Sequence, residues 1–259
     1  MLCARQFYRL GFAPGRRAKC APRMSNIFYA PGEQRAAKVG DLFAAIARRY
    51  DLLNDLQSFG LHRLWKRRVV RLANVKPGDR ALDLCCGTGD IAFALAGSGA
   101  QTTGLDFSEK MLEVARARNR AQNTLFMQGD AQAIPFPDNS FDVVTVGYGL
   151  RNLTSWEKGL EEMYRVARPG GRVVSLDFGK PPNALWRKIY FTHLRCSVPL
   201  VGWLFCRNAQ AYAYILESLK NFPAQDGVAG KMRALKMTNI RVINLLGGAM
   251  AINYGEKPA

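Results

Sequence analysis

Ala81 to Asp90 reads ALDLCCGTGD. Residues 81–86 form a short apolar run. They are followed by a turn holding Gly87 and Gly89, and then by DIAFALA from Asp90, which has helical character. A strand that ends in a glycine turn and opens a helix lets the backbone approach a ligand and points helix N-terminal amides at it. Gly87-Thr88-Gly89-Asp90-Ile91-Ala92 fits the dinucleotide pattern GxGxxA, a short match with little specificity alone. Two acids point away from a pyrophosphate. Asp83 lies four residues before Gly87, and Asp90 sits at the helix start, where it would repel a diphosphate. A carboxylate at residue 83 suits a cationic amino-acid head.

Working outward, strand and helix alternate. QTTGLD (101–106) reads as a strand and Ser108 opens a helix to about Ala121. TLFMQGD (124–130) is a third strand, FDVVTVGYGL (141–150) a fourth, and Trp156 to Ala167 a helix. Pro169-Gly170-Gly171 turns into RVVSLDF (172–178), the fifth strand. IRVINLL (240–246) and GAMAINYG (248–255) form a closing hairpin, preceded by a short helix from Gly230 to Lys236. Short strands separated by helices imply right-handed βαβ units and a mostly parallel α/β sheet. Before the sheet, a helical pattern begins at Val39, breaks over Asp51–Gly60, and resumes as a basic amphipathic helix over Leu61–Leu72. Residues 179–224 interrupt the rhythm with eight aromatics and read as an inserted substrate cap.

Acids close three successive strands. Asp106, followed by Phe107, suits a ribose with an adenine ring beside it, which alone does not separate NAD from other nucleosides. Asp130, followed by Ala131, suits an adenine amino group. In series with the glycines they line the sheet edge where open α/β folds bind ligands. The pattern DxxxGxG over Asp83, Gly87 and Gly89 resembles motif I of class I S-adenosylmethionine (SAM)-dependent methyltransferases. SAM carries an amine and a sulfonium and no phosphate.

Two more segments are more specific. YDLLNDLQSFGLHRLW (50–65) carries Tyr50, Asp51, Asn54, Ser58, His62 and Trp65, and GYGLRN (147–152) is followed by RVARPGG (165–171). Together they resemble the quinone-biosynthesis C-methyltransferases of the demethylmenaquinone and ubiquinone pathways, from about Val39 to Gly255. Leu53 stands where Met is usual, Gln57 at a usually apolar position, Asp177 where Glu is commoner, Gly179 where many members carry Ser, and Gly147 where some use Ser. The LDF and GYGLRN forms look closer to the naphthoquinone branch. The resemblance implies a Rossmann-like seven-stranded sheet with a C-terminal antiparallel hairpin, a helical N-terminal lid and the cap. It implies SAM contacts at Thr88, Asp106, Asp130 and Ala131 with Gly147 nearby, no metal, and a prenylated quinol as acceptor.

In that chemistry an acceptor ring carbon becomes nucleophilic when the adjacent hydroxyl loses its proton. The enzyme has to orient the ring and stabilise the phenolate. Arg151 and Asn152, at the end of the fourth strand, supply a cation and an amide suited to an oxyanion, and Tyr148 a hydroxyl or a wall. His62 is either a base or shuttle, or a residue that orders the lid through a hydrogen bond. Tyr50 and Asp51 carry the same two readings.

The 259 residues hold 37 Lys and Arg against 20 Asp and Glu, a net charge of +17. At 48% hydrophobic and 22% charged the chain should fold rather than remain disordered. Six cations and no acid lie in residues 1–32, and removing them takes the net charge from +17 to +11. Residues 1–38 therefore read as a basic tail. Three readings fit it: an extension upstream of a true start at Met24, placed first because Ser is scarce; an organellar transit peptide; or a basic arm. The remaining charge suits an anionic membrane surface, against which Cys196–Cys206 (CSVPLVGWLFC) could rest between Arg195 and Arg207. The expected location is cytoplasmic and peripheral to the membrane, or organellar if the tail is a transit peptide. Scattered cysteines without a CxxC pair fit a reducing compartment. The fourth strand ends in GYGLRN rather than a Pro-Pro-aromatic loop, so no nucleic-acid partner is expected. A small-molecule O- or N-methyltransferase, a benzoquinol C-methyltransferase and a non-catalytic SAM-binding protein are the competing readings. The oligomeric state is not read from the sequence.

Overall fold

The computed structural model describes residues 47, 50–206, 218–219 and 221–259, the side chains of residues 50, 53 and 197–206 aside. The basic tail and the pattern starting at Val39 fall outside these residues, apart from the buried Ala47.

Seven strands form one sheet: β1 (Arg80–Leu84), β2 (Gln101–Asp106), β3 (Thr124–Gln128), β4 (Phe141–Gly147), β5 (Ala167–Phe178), β6 (Thr238–Leu245) and β7 (Met250–Glu256). Their order is β3-β2-β1-β4-β5-β7-β6. The pairs from β3 through β5 are parallel, and β7 runs antiparallel to both β5 and β6. The described helices are α1 (Tyr50–Ser58), α2 (Leu61–Ala73), α3 (Asp90–Gly97), α4 (Glu109–Arg118), α5 (Trp156–Val166), α6 (Ala184–Cys206) and α7 (Ala224–Ala234).

The central strands are apolar on both faces because helices cover both. Successive residues point to opposite sides. Leu82, Leu84, Val144 and Val146 pack with Leu160 and Met163 of α5 and Met232 of α7. Ala81, Val143, Val174 and Ile252 pack on the other side with Val69 of α2 and with Ile91 and Leu95 of α3. The chain builds β1, β2 and β3 in one direction and then returns to place β4 on the other side of β1. That reversal opens a crevice at the carboxyl ends of β1 and β4.

Three boundaries differ from expectation. Asp51–Gly60 was expected to break the helical pattern, yet Tyr50–Ser58 is helical. The Ser58 hydroxyl bonds back to the Asn54 carbonyl, and Asp55 holds His62 and Arg63 of α2, so tertiary partners override weak local propensity. The break is confined to Phe59 and Gly60, both at positive φ. Pro169-Gly170-Gly171 stays within β5 rather than forming a separate turn. Gly170 N–H donates to the Lys257 carbonyl and Lys257 N–H to the Gly171 carbonyl, which keeps the segment in register beyond β7. The helix expected over Gly230–Lys236 runs earlier, over Ala224–Ala234. It starts after Pro223 and stops before Lys236, which takes a left-handed φ of 58°. The cap region opens with a helix of 23 residues, α6. No helix among the described residues is long and apolar enough to cross a membrane.

Two glycines separate packing from propensity. A Cβ on Gly104 would lie 2.6 Å from the Phe126 ring, whereas one on exposed Gly230, within α7, would meet nothing within 4 Å. Gly104→Ala should therefore cost about 1–3 kcal/mol of stability, and Gly230→Ala should gain about 0.5–1 kcal/mol. Urea unfolding of the two variants checks both signs.

Candidate active site

The loop after β1 takes the left-handed turns that its glycines allow. Gly87 and Gly89 take positive φ, and Gly89 starts α3 at φ 89°. The Gly87 N–H donates to Asp106 Oδ2 at 2.8 Å, and Ser108 N–H donates to Asp106 Oδ1 at 2.9 Å. The acid at the end of β2 thus fixes the glycine loop and the start of α4 together. Each oxygen keeps a lone pair for a further donor. Burial pushes its pKa up, and the backbone donors work against that shift.

Asp83 is buried within β1. It accepts the Thr145 hydroxyl of β4 at 2.7 Å. Burial pushes its pKa up to about 7, partly opposed by Thr145 and by the Lys66 ammonium. A cleft opens beside it, lined by Asp83, Gly87, Thr88, Gly147 and Tyr148, together with Lys66, Asp90 and Ile91. Cys85 and Cys86 complete the wall, their thiols held well above the ordinary range by burial. Cys85 and Tyr148, on its two sides, both take left-handed φ, 50° and 61°, a costly conformation for residues with a Cβ. Gly149 permits this close approach, since a Cβ there would sit 2.6 Å from Cys85 Cβ. At Gly147 the missing side chain leaves room for Ile91, whose Cδ1 would lie 2.6 Å from a Cβ.

The remaining expected residues lie around this cleft rather than in its wall. Asp130 accepts the Gln132 N–H at 2.8 Å, and Ala131 is buried in the core. Phe107 is 50% exposed. Asn152 Nδ2 donates to the Tyr148 carbonyl at 3.0 Å. Arg151 is buried over the Phe178 ring, 4.8 Å from its centre. Its Nη1 donates to the Tyr148 carbonyl and to Asn152 Oδ1, and its Nε lies 3.4 Å from Asp177 Oδ1. Asp177 also accepts the Arg151 backbone N–H at 3.2 Å, so one buried carboxylate at the end of β5 holds the whole turn after β4. Burial raises the Asp177 pKa and Arg151 opposes the shift.

His62 is buried in α2, with Nε2 2.8 Å from Asp55 Oδ1, and burial lowers its pKa. It lies outside the cleft wall. Lys66, Ile91 and the two cysteines were not singled out from sequence. Lys66 follows the family segment directly, on a helix with several other cations, and nothing in the sequence marks it apart from them. Asp90 also carries less weight than its position suggested. Lys66 Nζ and Arg118 Nη2 each lie 2.8 Å from its carboxylate, so its charge is compensated and the argument from diphosphate repulsion weakens.

The residues present fit SAM. Asp83 is a carboxylate at the cleft whose pKa burial raises, and Asp106 retains acceptor capacity. Among the described residues no cluster could hold a metal ion. A cation that binds beside Asp83 favours its ionised form. Below pH 7, binding must expel the Asp83 proton. SAM affinity should therefore weaken, approaching about tenfold per pH unit as pH falls below 7. Calorimetric titration between pH 5.5 and 7 tests this. Asp83→Asn should bind more weakly and without that slope, and a parent-like slope in the variant would remove Asp83 from the role.

The matches to known proteins agree with this geometry. A model of the ubiE/COQ5 methyltransferase family matches residues 32–257. The demethylmenaquinone methyltransferase of Desulfitobacterium hafniense is 44% identical over 235 residues, which cover 88% of this chain and 92% of that protein. The ubiquinone/menaquinone biosynthesis C-methyltransferase UbiE of Ectopseudomonas mendocina is 42% identical over 235 residues, with the same two coverages. Among solved structures, the putative methyltransferase in complex with the Trm112 activator of Haloferax volcanii matches with a TM-score of 0.61 at 19% identity, over 85% of this chain and 98% of that one. A SAM-dependent methyltransferase of Thermotoga maritima, titled a possible histamine N-methyltransferase, matches with a TM-score of 0.58 at 19% identity, over 83% and 99%. These two likenesses show the fold, that of class I SAM-dependent methyltransferases. The sequence matches show more: the chain belongs to the ubiE/COQ5 methyltransferase family.

Proposed function

We propose that this protein methylates a ring carbon of a prenylated demethylnaphthoquinol, using SAM, in quinone biosynthesis. The observation that carries the reading is the crevice between β1 and β4. It brings the glycine loop and Asp83 into one cleft with Tyr148, and the turn through Arg151 and Asn152 follows directly. Bound SAM supplies the electrophilic methyl group. Asp83 and Asp106 are the acceptors that suit its ammonium and its ribose. Arg151 and Asn152, braced against each other and by Asp177, suit the oxygen that becomes negative beside the reacting carbon. The demethylmenaquinone name of the 44% relative favours the naphthoquinol. The joint ubiquinone/menaquinone name of the 42% relative makes a benzoquinol the second candidate.

The test is methyl transfer from labelled SAM to short-chain demethylnaphthoquinol and demethylbenzoquinol under reducing conditions. Turnover of the naphthoquinol is expected. SAM binding without turnover of either ring would favour a non-catalytic SAM-binding protein. Arg151→Ala should lose turnover by about 10²-fold or more while SAM affinity changes little. Loss of SAM binding instead would make Arg151 structural.

We also propose peripheral contact with an anionic membrane, where a prenylated quinol resides. The side chains of the apolar stretch first considered for this fall largely outside the described residues. Support comes from the start of α6. Leu185, Trp186 and Ile189 are exposed there beside Arg187 and Lys188, and Trp186 Nε1 donates to the carbonyl of exposed Leu246 at 2.9 Å. Residues 178–216 contain no acid. Apolar and basic groups side by side suit a lipid headgroup layer. The protein should float with phosphatidylglycerol vesicles at low salt, and Trp186→Asp should reduce that fraction several-fold. No flotation of the parent would count against the contact.

A further inference from the structure

The loop that carries Thr88 and Asp90 is gripped from three helices distant in sequence. Asp51, in the first turn of α1, accepts the Thr88 hydroxyl at Oδ1 (2.9 Å) and Arg118 Nη1 at Oδ2 (2.8 Å). Arg118, the last residue of α4, also donates from Nη1 to the Thr88 carbonyl (3.0 Å) and from Nη2 to Asp90 Oδ1 (2.8 Å). Lys66 of α2 donates to Asp90 Oδ2 at 2.8 Å. The Arg118 guanidinium covers the Phe93 ring, 5.7 Å from its centre. Single ion pairs at such part-exposed sites are weak. Here two cations and two carboxylates share partners: four of the bonds join the N-terminal hairpin or α4 to the two loop residues Thr88 and Asp90, and the fifth joins Asp51 of the hairpin to Arg118 of α4. Thr88, Asp90 and Lys66 all line the cleft.

The geometry points to Arg118 and Asp51 as positioning residues that latch the α1–α2 hairpin onto the cofactor loop, so that SAM binding and closure of the hairpin stabilise each other. This rests on the SAM reading of the cleft and is independent of the acceptor. It also separates the two readings of Asp51. A base acting on the acceptor would face the substrate, whereas both Asp51 oxygens face Thr88 and Arg118. If loop and hairpin are joined by these bonds, anything that orders the loop also orders the hairpin, by the reciprocity of linked equilibria.

The experiment uses the full chain with three variants. Arg118→Met keeps the aliphatic stem over Phe93 and removes the charge. Arg118→Lys restores one donor. Asp51→Asn keeps an acceptor for Thr88 and removes the charge facing Arg118. SAM affinity, kcat at saturating SAM, and hydrogen exchange of residues 50–73 with and without SAM are measured. SAM should slow exchange in the parent hairpin. In Arg118→Met that protection should be lost and SAM Kd should rise about tenfold, with kcat changed by less than about threefold. Arg118→Lys should recover part of both effects. Asp51→Asn should move Kd in the same direction, and it decides the matter if Arg118→Met does not fold. Equal protection by SAM in parent and variants, with Kd unchanged within twofold, would overturn the latch. So would an Asp51→Asn that loses kcat and keeps SAM affinity, which is the signature of a base. A parent chain that binds no SAM would overturn the SAM reading of the cleft and the latch with it.

Discussion

The hydrogen bond from the Gly87 amide to the Asp106 carboxylate holds the glycine loop against the neighbouring strand. Asp106 is half-buried, and desolvation of its carboxylate is offset only while donors face it. The donors available are the backbone amides of Gly87 and Ser108, and both point at it only because the loop and the start of α4 adopt their observed shapes. The same constraint recurs at Asp83, which takes the Thr145 hydroxyl, and at Asp177, which takes the amide and guanidinium of Arg151. Each acid ties its strand to a neighbouring strand, loop or turn. Together they set the carboxyl edge of the sheet as a rigid, charged rim rather than a set of free loops.

On that rim the sides proposed for the methyl donor and for the acceptor differ in character. The donor side is built from backbone amides and glycines, with its charge compensated by Lys66 and Arg118. The acceptor side is built from side chains braced against each other. Arg151 is clamped by Asp177, by the Phe178 face and by two oxygens from the adjoining turn. A guanidinium so fixed presents its charge without having to reorganise, which is the condition under which electrostatic stabilisation of an oxyanion is most effective. The left-handed backbones of Cys85 and Tyr148 mark where the two sides meet.

Much of this was legible in the residues. The alternation of short apolar runs with helices predicted the sheet, and the acids closing successive strands fall at the edge where the cleft opens, although of them only Asp83 lines it. Boundaries were read less well where distant partners decide them. Tyr50–Ser58 is helical because of bonds to α2 and to the loop, which local propensity does not contain. The Pro169-Gly170-Gly171 segment stays in its strand because Lys257, nearly ninety residues later, completes the ladder. Lys66 and Arg118 escaped notice for the same reason. A single cation on a basic helix carries no sequence mark of the acid it will meet, and here the acids lie 24 and 28 residues away.

The function proposed for this cleft depends on its methylating a quinol ring carbon. Expression of the chain in a bacterium that has lost its own demethylmenaquinone methylation tests it most directly, with the membrane quinones read by mass. Accumulated demethylmenaquinone should give way to menaquinone. Demethylmenaquinone persisting as the only naphthoquinone, while the folded protein is present and binds SAM, would contradict it.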